Sequence, residues 1–315
     1  MKLLSLIVPV YNEEETISLF VNEVTQFYDK NIDQEKYKFE IVFINDGSTD
    51  QTLNILKDLS TPKFDLITVD FSRNFGKENA LFAGIENCKG DIIVPIDVDL
   101  QDPLIVIADM LVEYEKGFDV VLAKRANRSS DSFLKRKTAE YFYEVYNKIA
   151  DYKIEPNVGD FRLIDRKVVD EILKLNENQL FMKGLFSWVG FKSTIVEYIR
   201  EERSKGETKF NFTKLLKLAI DGLTSFSVVP LKIWLFTGVI IAICSILFGV
   251  KIVIEKIFFG IAEHGYPSLI CAITLLGGIQ LISIGVLGEY IGRIYLETKR
   301  RPKFIINNVI KKETL

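Results

Sequence analysis

Asp97 and Asp99 are the residues whose type and spacing point most directly to chemistry. Carboxylates at i and i+2 on an extended chain face the same way. Held close together they repel unless a cation or proton lies between them. A magnesium or manganese ion suits such a pair, because it takes one or two carboxylates and completes its shell with substrate phosphates. A blander reading makes Asp102 a helix N-cap with Pro103 at the first helical position; it accounts for Asp102 and leaves Asp97 and Asp99 unexplained. The rest of the composition narrows the metal chemistry. His264 is the only histidine, which argues against histidine-built zinc sites and Ser-His-Asp catalysis and leaves oxygen ligands. Cys88, Cys244 and Cys271 are far apart and form no CxxC pair, as expected of a reducing compartment or a membrane interior. The net charge of -3 disfavours a nucleic-acid binder.

Cleavage of a sugar–diphosphate bond is a reaction that calls for such an ion. Negative charge builds on the leaving phosphate, where a divalent cation acts as a Lewis acid, and the sugar carbon becomes oxocarbenium-like. A phosphate acceptor, with a second pKa of about 6, is already largely ionised near neutrality and needs cationic positioning more than a base. Arg125, Arg128, Lys135, Arg136 and Lys137 can supply that positioning, arginine through its bidentate fork. The competing reading is a solvated basic loop. Lys77 can reach a diphosphate from the start of a helix, or be an ordinary surface lysine. Asp160 and Arg162 read first as a structural ion pair, and Trp188 as either a sugar-stacking or a core residue.

The elements that must hold these groups alternate over about the first 120 residues, the pattern of a parallel α/β sheet. Strands are predicted at Leu3–Val10, Phe39–Ile44, Leu66–Val69, Asp91–Ile96 and Val120–Ala123, and helices at Glu14–Tyr28, Asp50–Leu59, Lys77–Glu86 and Leu104–Lys116, with Thr49 or Asp50 capping the second. Each of the first four strands runs into a polar stretch: Tyr11-Asn12-Glu13, Asn45-Asp46-Gly47-Ser48, Asp70 to Lys77, and Asp97 to Asp102. Ligands of open α/β sheets bind outside the carboxyl ends of the strands. Ordinary solvated loops explain one such end, not four.

The last third has another character. Ile233–Val250 and Tyr266–Gly288 contain no charged residue, and each approaches the roughly 20 apolar residues that cross a bilayer. Lys214 and Lys217 precede the first span; Arg293, Lys299, Arg300, Arg301 and Lys303 follow the second. The positive-inside rule then puts both termini in the cytoplasm and the Glu255–Gly265 loop on the other side. Phe133–Ile149 and Phe212–Phe226 are amphipathic and suit the membrane surface or the soluble core equally. The N-terminal apolar run is short, is interrupted by Pro9 and lacks a cleavage site, so the first half is expected to stay cytoplasmic. The expected organisation is a catalytic domain over 1–210, an amphipathic juxtamembrane segment over 211–230, a two-helix transmembrane domain over 231–292 and a basic cytoplasmic tail over 293–315.

Together, Pro9 to Glu14, Asn45 to Asp50, Arg73-Asn74-Phe75-Gly76-Lys77 and Asp97 to Pro103 resemble the family 2 glycosyltransferases of the GT-A (Rossmann-like) fold. Val158 to Leu163, Phe181–Gly190, Gly206 to Lys209 and Gly288 to Tyr295 narrow the resemblance to the bactoprenol glucosyltransferases of bacterial and phage O-antigen glucosylation systems, over nearly the whole chain. The resemblance implies inverting transfer of glucose from UDP-glucose to undecaprenyl phosphate at the cytoplasmic face of the bacterial inner membrane, by a multi-pass protein, for cell-envelope glycan modification. It implies that Pro9, Tyr11, Glu13 and Asp46 line the uridine pocket, with Lys77 and Asp97 also on the nucleotide-sugar. Asp97, Asp99 and Gln101 would hold Mg²⁺ or Mn²⁺ and the diphosphate, Arg125 and Arg136 would face the lipid phosphate, and Asp160 matches a position assigned as catalytic base. Relatives with the same motifs use mannose or N-acetylglucosamine, and a homo-oligomer is compatible with the pattern. A processive polysaccharide synthase would carry a Gln-x-x-Arg-Trp motif, which neither Trp188 nor Trp234 occupies. A non-catalytic membrane adaptor would have lost the acidic strand ends.

Overall fold

The computed structural model describes residues 1–126, 147, 155–175, 177, 180–199, 229–259 and 265–313. Strands β1 (Lys2–Val10), β2 (Tyr37–Asn45), β3 (Asp65–Phe71) and β4 (Ile92–Pro95) alternate with helices α1 (Ile17–Asn31), α2 (Thr52–Asp58), α3 (Lys77–Asn87) and α4 (Ile105–Glu115). Then follow β5 (Val120–Arg125), β6 (Val158–Asp165), α5 (Arg166–Leu173), α6 (Met182–Trp188) and β7 (Ser193–Tyr198). The strands build one sheet of order β7-β5-β6-β4-β1-β2-β3-β8, the last being Ile306–Lys312. The near-continuous apolar runs of β1 and β2 are buried on both faces, as parallel strands under helices must be. The apolar residues that recur at helical spacing in α1, Ile17, Phe20, Val21, Val24 and Phe27, are its buried stripe. On the other side, α3 comes so close to the sheet that a Cβ at Gly84 would collide with Ile7 and meet Ile44.

Topology decides where the site lies. β2, β1 and β4 run parallel, with β3 alongside β2, so the carboxyl ends of these four strands share one edge. The chain moves outward from β1 through β2 to β3, then returns to place β4 on the other flank of β1. That reversal opens the crevice in which open α/β sheets bind ligands.

The expectation of a parallel sheet needs correction, because the sheet is mixed. β6 runs antiparallel between β4 and β5, and β8 runs antiparallel beside β3. Two reversals return β5 and its neighbour β7 to the direction of β4. The edge therefore also holds the ends of β5 and β7, at Arg125 and Tyr198, and the start of β6 at Val158. β8 also corrects the reading of 293–315 as a tail: Arg293 lies within a helix, and Ile306–Lys312 covers the edge of β3, which would otherwise expose unpaired backbone groups. The cap expected of Thr49 or Asp50 falls to Gln51 without a side-chain bond; Asp50 instead accepts from the Thr52 N–H at 3.0 Å.

A second compact unit contains two long helices, α7 (Val229–Phe259) and α8 (Tyr266–Thr298). Among the described residues, one stretch, Leu275–Thr298, is long and apolar enough to cross a membrane, and its apolar side chains, Leu281, Ile284 and Ile291 among them, are exposed. In α7 the apolar stretch is shorter, Phe236–Phe248. The helix continues through Phe259, so Glu255 is helical and not in a loop. The two amphipathic segments, Phe133–Ile149 and Phe212–Phe226, lie outside the described residues apart from position 147, as do Arg128, Lys135, Arg136, Lys137 and Gly206 to Lys209.

Candidate active site

The loops after β1 and β2 are tied together through backbone groups. Asn12 N–H donates to Ser48 Oγ at 3.0 Å, Thr49 N–H donates to Asn12 Oδ1 at 2.8 Å, and Glu13 N–H donates to Thr52 Oγ1 at 2.9 Å. Asn12 takes a left-handed φ of 55°, a conformation that asparagine tolerates better than most residues. Pro9 and Glu13 are partly buried, and Tyr11 presents an exposed ring above the edge.

Asp46 joins this pair to the next loop. Its carboxylate accepts from Phe75 N–H at 2.6 Å and from Gly76 N–H at 3.0 Å. Burial raises its pKa, only partly opposed by these two donors and by Arg73. Gly47, with a φ of 67°, lets the β3–α3 loop approach so closely that a Cβ would collide with the Arg73 backbone. Below this level Asp70 accepts from Asn45 Nδ2 at 2.7 Å and from Asn307 Nδ2 at 3.0 Å, so the C-terminal strand enters the same network. Phe304 stacks on Phe71 with centroids 5.0 Å apart, and Phe71 meets Phe75 edge-on.

At the centre stands Lys77. Its ammonium lies 2.7 Å from Asp97 Oδ1 and 3.1 Å from Asp160 Oδ2, bridging the β4 loop and β6. Partial desolvation works against the ammonium, but Asp97 and Asp160 outweigh it and raise its pKa. Burial alone would raise the Asp160 pKa; Lys77, then Lys183 and Arg162, bring it down to about 2. Its cationic partners thus favour the ionised form of Asp160. Glu78, which the sequence reading did not single out, behaves oppositely. Burial and then the charge of Asp160 push it up to about 7 against the Met182 N–H, Lys183 and Lys77. Only its place beside Lys77 at the N-terminus of α3 could have flagged it.

Asp99 Oδ1 accepts from Gln101 N–H at 3.2 Å, and the intervening Leu100 has a φ of 56°. A non-glycine residue in that region costs on the order of 1–3 kcal/mol and is retained where the surroundings demand it. Asp102 is not a helix cap: the cap of α4 is Leu104, without a side-chain bond. Its buried carboxylate instead accepts from Tyr198 Oη at 2.5 Å. Arg125 Nε donates to the same hydroxyl at 3.3 Å, and Arg125 Nη2 lies 3.9 Å from Asp102 Oδ1.

The structure thus gathers Pro9, Tyr11, Glu13, Asp46, Lys77, Asp97, Asp99, Gln101, Arg125 and Asp160 on one sheet edge. Arg136 lies outside the described residues. Among the described residues no three His, Cys, Asp or Glu side chains form a metal cage. The donor set instead suits a divalent cation that shares its shell with phosphate oxygens: two carboxylates two residues apart, one of them already neutralised by a lysine. A cavity of about 520 Å³, lined by Lys2, Tyr37, Tyr114 and Asp165, opens among the opposite strand ends and includes none of these residues.

Residues 5–173 match the model of the glycosyl transferase family 2. The chain is 54% identical over 308 residues to a prophage bactoprenol glucosyl transferase homolog of Escherichia coli K12, covering 98% of this chain and 99% of that protein. It is 53% identical to the bactoprenol glucosyl transferase of Shigella phage SfV, covering 97% and 98% of the two chains. An SfII prophage-derived bactoprenol glucosyl transferase of Shigella flexneri is also 53% identical, with 96% and 97% covered.

Proposed function

The chain belongs to the glycosyl transferase family 2 and is a glycosyltransferase, and from that premise we propose that it transfers a hexose, glucose by preference, from a UDP-sugar to undecaprenyl phosphate with inversion. The observation that carries this reading is the convergence, on one edge, of acidic residues suited to a metal-bound diphosphate with a described cation, Arg125, suited to a second phosphate. Pro9, Tyr11, Glu13 and Asp46 shape the uridine end, Asp46 by holding the Phe75-Gly76 backbone. Asp97, Asp99 and Gln101 hold a magnesium or manganese ion, which when bound offsets charge on the leaving diphosphate. Lys77, held between Asp97 and Asp160, is a fixed cation beside that charge.

Arg125 and Arg136 hold the acceptor phosphate. In the reaction an acceptor oxygen attacks the anomeric carbon from the face opposite the diphosphate. One C–O bond forms as the bond to the diphosphate breaks, and UDP leaves. A dianionic phosphate has no proton to give up, which agrees with Asp160 being locked as a carboxylate partner of Lys77. Asp160 then serves by neutralising and placing Lys77.

Connectivity supports a two-pass membrane arrangement. The chain leaves the sheet after β7 and returns to it as β8, so any crossings of a bilayer in between are even in number. If α8 is one pass, α7 with its apolar Phe236–Phe248 is the natural other. Both termini then stay with the catalytic unit on the cytoplasmic side.

The test is to incubate membranes containing the protein with labelled UDP-glucose, UDP-N-acetylglucosamine or GDP-mannose and undecaprenyl phosphate. Label from UDP-glucose entering the lipid fraction as a single sugar is expected. Label passing into a polymer, or none reaching lipid, would overturn the proposal.

A further inference from the structure

Arg125 is held by groups from three separate parts of the chain. Parallel pairing of β5 with β7 places Tyr198 directly beside Arg125 at the last register position of both strands. The Tyr198 ring is buried and lies edge-on to Phe161, with centroids 5.9 Å apart and planes at 85°, so the hydroxyl has little freedom. Ala126 N–H donates to Tyr198 O at 2.8 Å, and Arg125 N–H donates to Asn157 O at 3.2 Å, fixing the backbone on both sides of the arginine. The hydroxyl proton goes to Asp102 at 2.5 Å, which orients the oxygen lone pairs to receive Arg125 Nε at 3.3 Å. Gly159, one residue before Asp160, adjoins the guanidinium: an added Cβ there would lie 3.5 Å from Arg125 Nη2, in ordinary contact.

A buried tyrosine needs a partner for its hydroxyl, and any carbonyl would serve for packing alone. Here the partners are a buried carboxylate from the loop that carries Asp97 and Asp99, and an arginine facing the reaction edge. A guanidinium bound through Nε keeps its two Nη groups as an end-on fork for phosphate.

We propose that Tyr198 is a positioning residue for the acceptor phosphate: its hydroxyl, oriented by Asp102, holds the Arg125 fork in register with the metal-binding loop. The inference rests on the reading of Arg125 as an acceptor-phosphate ligand and adds the device that aims it. It also gives Asp102 a role beyond the start of α4. The loop that holds the donor diphosphate and the group that holds the acceptor phosphate thus share one hydrogen-bonded hydroxyl.

The experiment uses the full-length protein in detergent or native membranes, with UDP-glucose and a short-chain polyprenyl phosphate as substrates. Tyr198→Phe keeps the ring and removes only the hydroxyl. It should raise the acceptor KM roughly three- to tenfold, the range for losing one such bond, and leave the UDP-glucose KM unchanged. Arg125→Ala should raise the acceptor KM more than tenfold. The double variant Tyr198→Phe/Arg125→Ala should be no worse than Arg125→Ala alone, within about twofold, because the hydroxyl acts through the arginine. Independent, multiplying effects would overturn the positioning role, as would a Tyr198→Phe enzyme with a lower Tm and unchanged KM values.

If Tyr198→Phe does not fold, Asp102→Asn tests the same link. It keeps an acceptor oxygen and should give a smaller rise confined to the acceptor; a rise confined to the donor would overturn the role. Which constant Arg125→Ala moves tests the underlying reading separately. A change only in the UDP-glucose KM refutes Arg125 as an acceptor ligand and with it the acceptor-positioning role of Tyr198; a raised acceptor KM for Arg125→Ala with independent effects of the two substitutions refutes the Tyr198 role alone. No kinetic effect of Arg125→Ala refutes both.

Discussion

The two halves of the site edge are built differently. Around β1, β2 and β3, loop is tied to loop through backbone N–H groups: Asn12 with Ser48 and Thr49, and Asp46 with Phe75 and Gly76. Around β5, β6 and β7, side chains hold side chains: Lys77 with Asp97 and Asp160, and Arg125 with Tyr198 and Asp102. A side chain that satisfies buried backbone donors supports the fold, because its loss leaves those donors unpaired. A partly exposed charged side chain held by another side chain, such as Lys77 or Asp97, can be exchanged with less damage to the fold but at a direct cost to binding and rate. The nucleotide end should therefore report substitutions as stability, and the reacting end as kinetics.

The largest expected effect lies at the reacting end. Asp99→Asn should retain the fold and Tm while lowering kcat by about 10²-fold or more, the scale of losing one preorganised electrostatic partner of the transition state. Excess chelator should mimic it in the unmodified enzyme, and full activity in either case would remove the metal from the reading.

Asp46→Ala is the contrasting change. It strips the acceptor from the Phe75 and Gly76 N–H groups and should destabilise by about 2–4 kcal/mol, seen as a lower Tm even without substrate. A normal Tm with a raised UDP-sugar KM would break the contrast between the two halves.

A milder version tests the C-terminal strand. Asn307→Ala removes one of two amides on Asp70 and should cost about 1 kcal/mol in stability, with little change in either KM.

The smallest effect is pH-dependent. Glu78 has a folded pKa of about 7, above the ordinary carboxylate value, so its ionised form is disfavoured in the fold. Its contribution to stability is fully present below the unfolded carboxylate pKa and is lost as pH rises through about 7. Glu78→Gln, which can still accept from Met182 N–H, should stabilise the protein at pH 8 and change nothing at pH 4. Asp160, lowered to about 2, has the opposite sign, and its contribution is lost only as pH falls through that value. Thermal unfolding of Asp160→Asn and Glu78→Gln at both pH values would sharpen the distinction.

What could be read from sequence was whatever is encoded locally. The apolar runs of β1 to β4, the helical stripe of α1 and the acidic residues just past each strand are short-range patterns, and periodicity together with the carboxyl-end rule places them on one edge. Asp97 and Asp99 were legible because two carboxylates two residues apart make an electrostatic statement by themselves. The antiparallel strands were not legible, since a short strand such as Val158–Asp165 takes its direction from the neighbours it meets. The partners on which the proposed chemistry relies were equally hidden. Tyr198 and Asp102 are 96 residues apart, and Asn307 and Asp70 are 237 apart. The strength with which Lys77 holds Asp160 as a carboxylate depends on burial that no spacing reveals. Sequence alone determined which residues stand at the strand ends; only the tertiary structure decided which of them touch, because contacts across a sheet edge follow from strand order and not from distance along the chain.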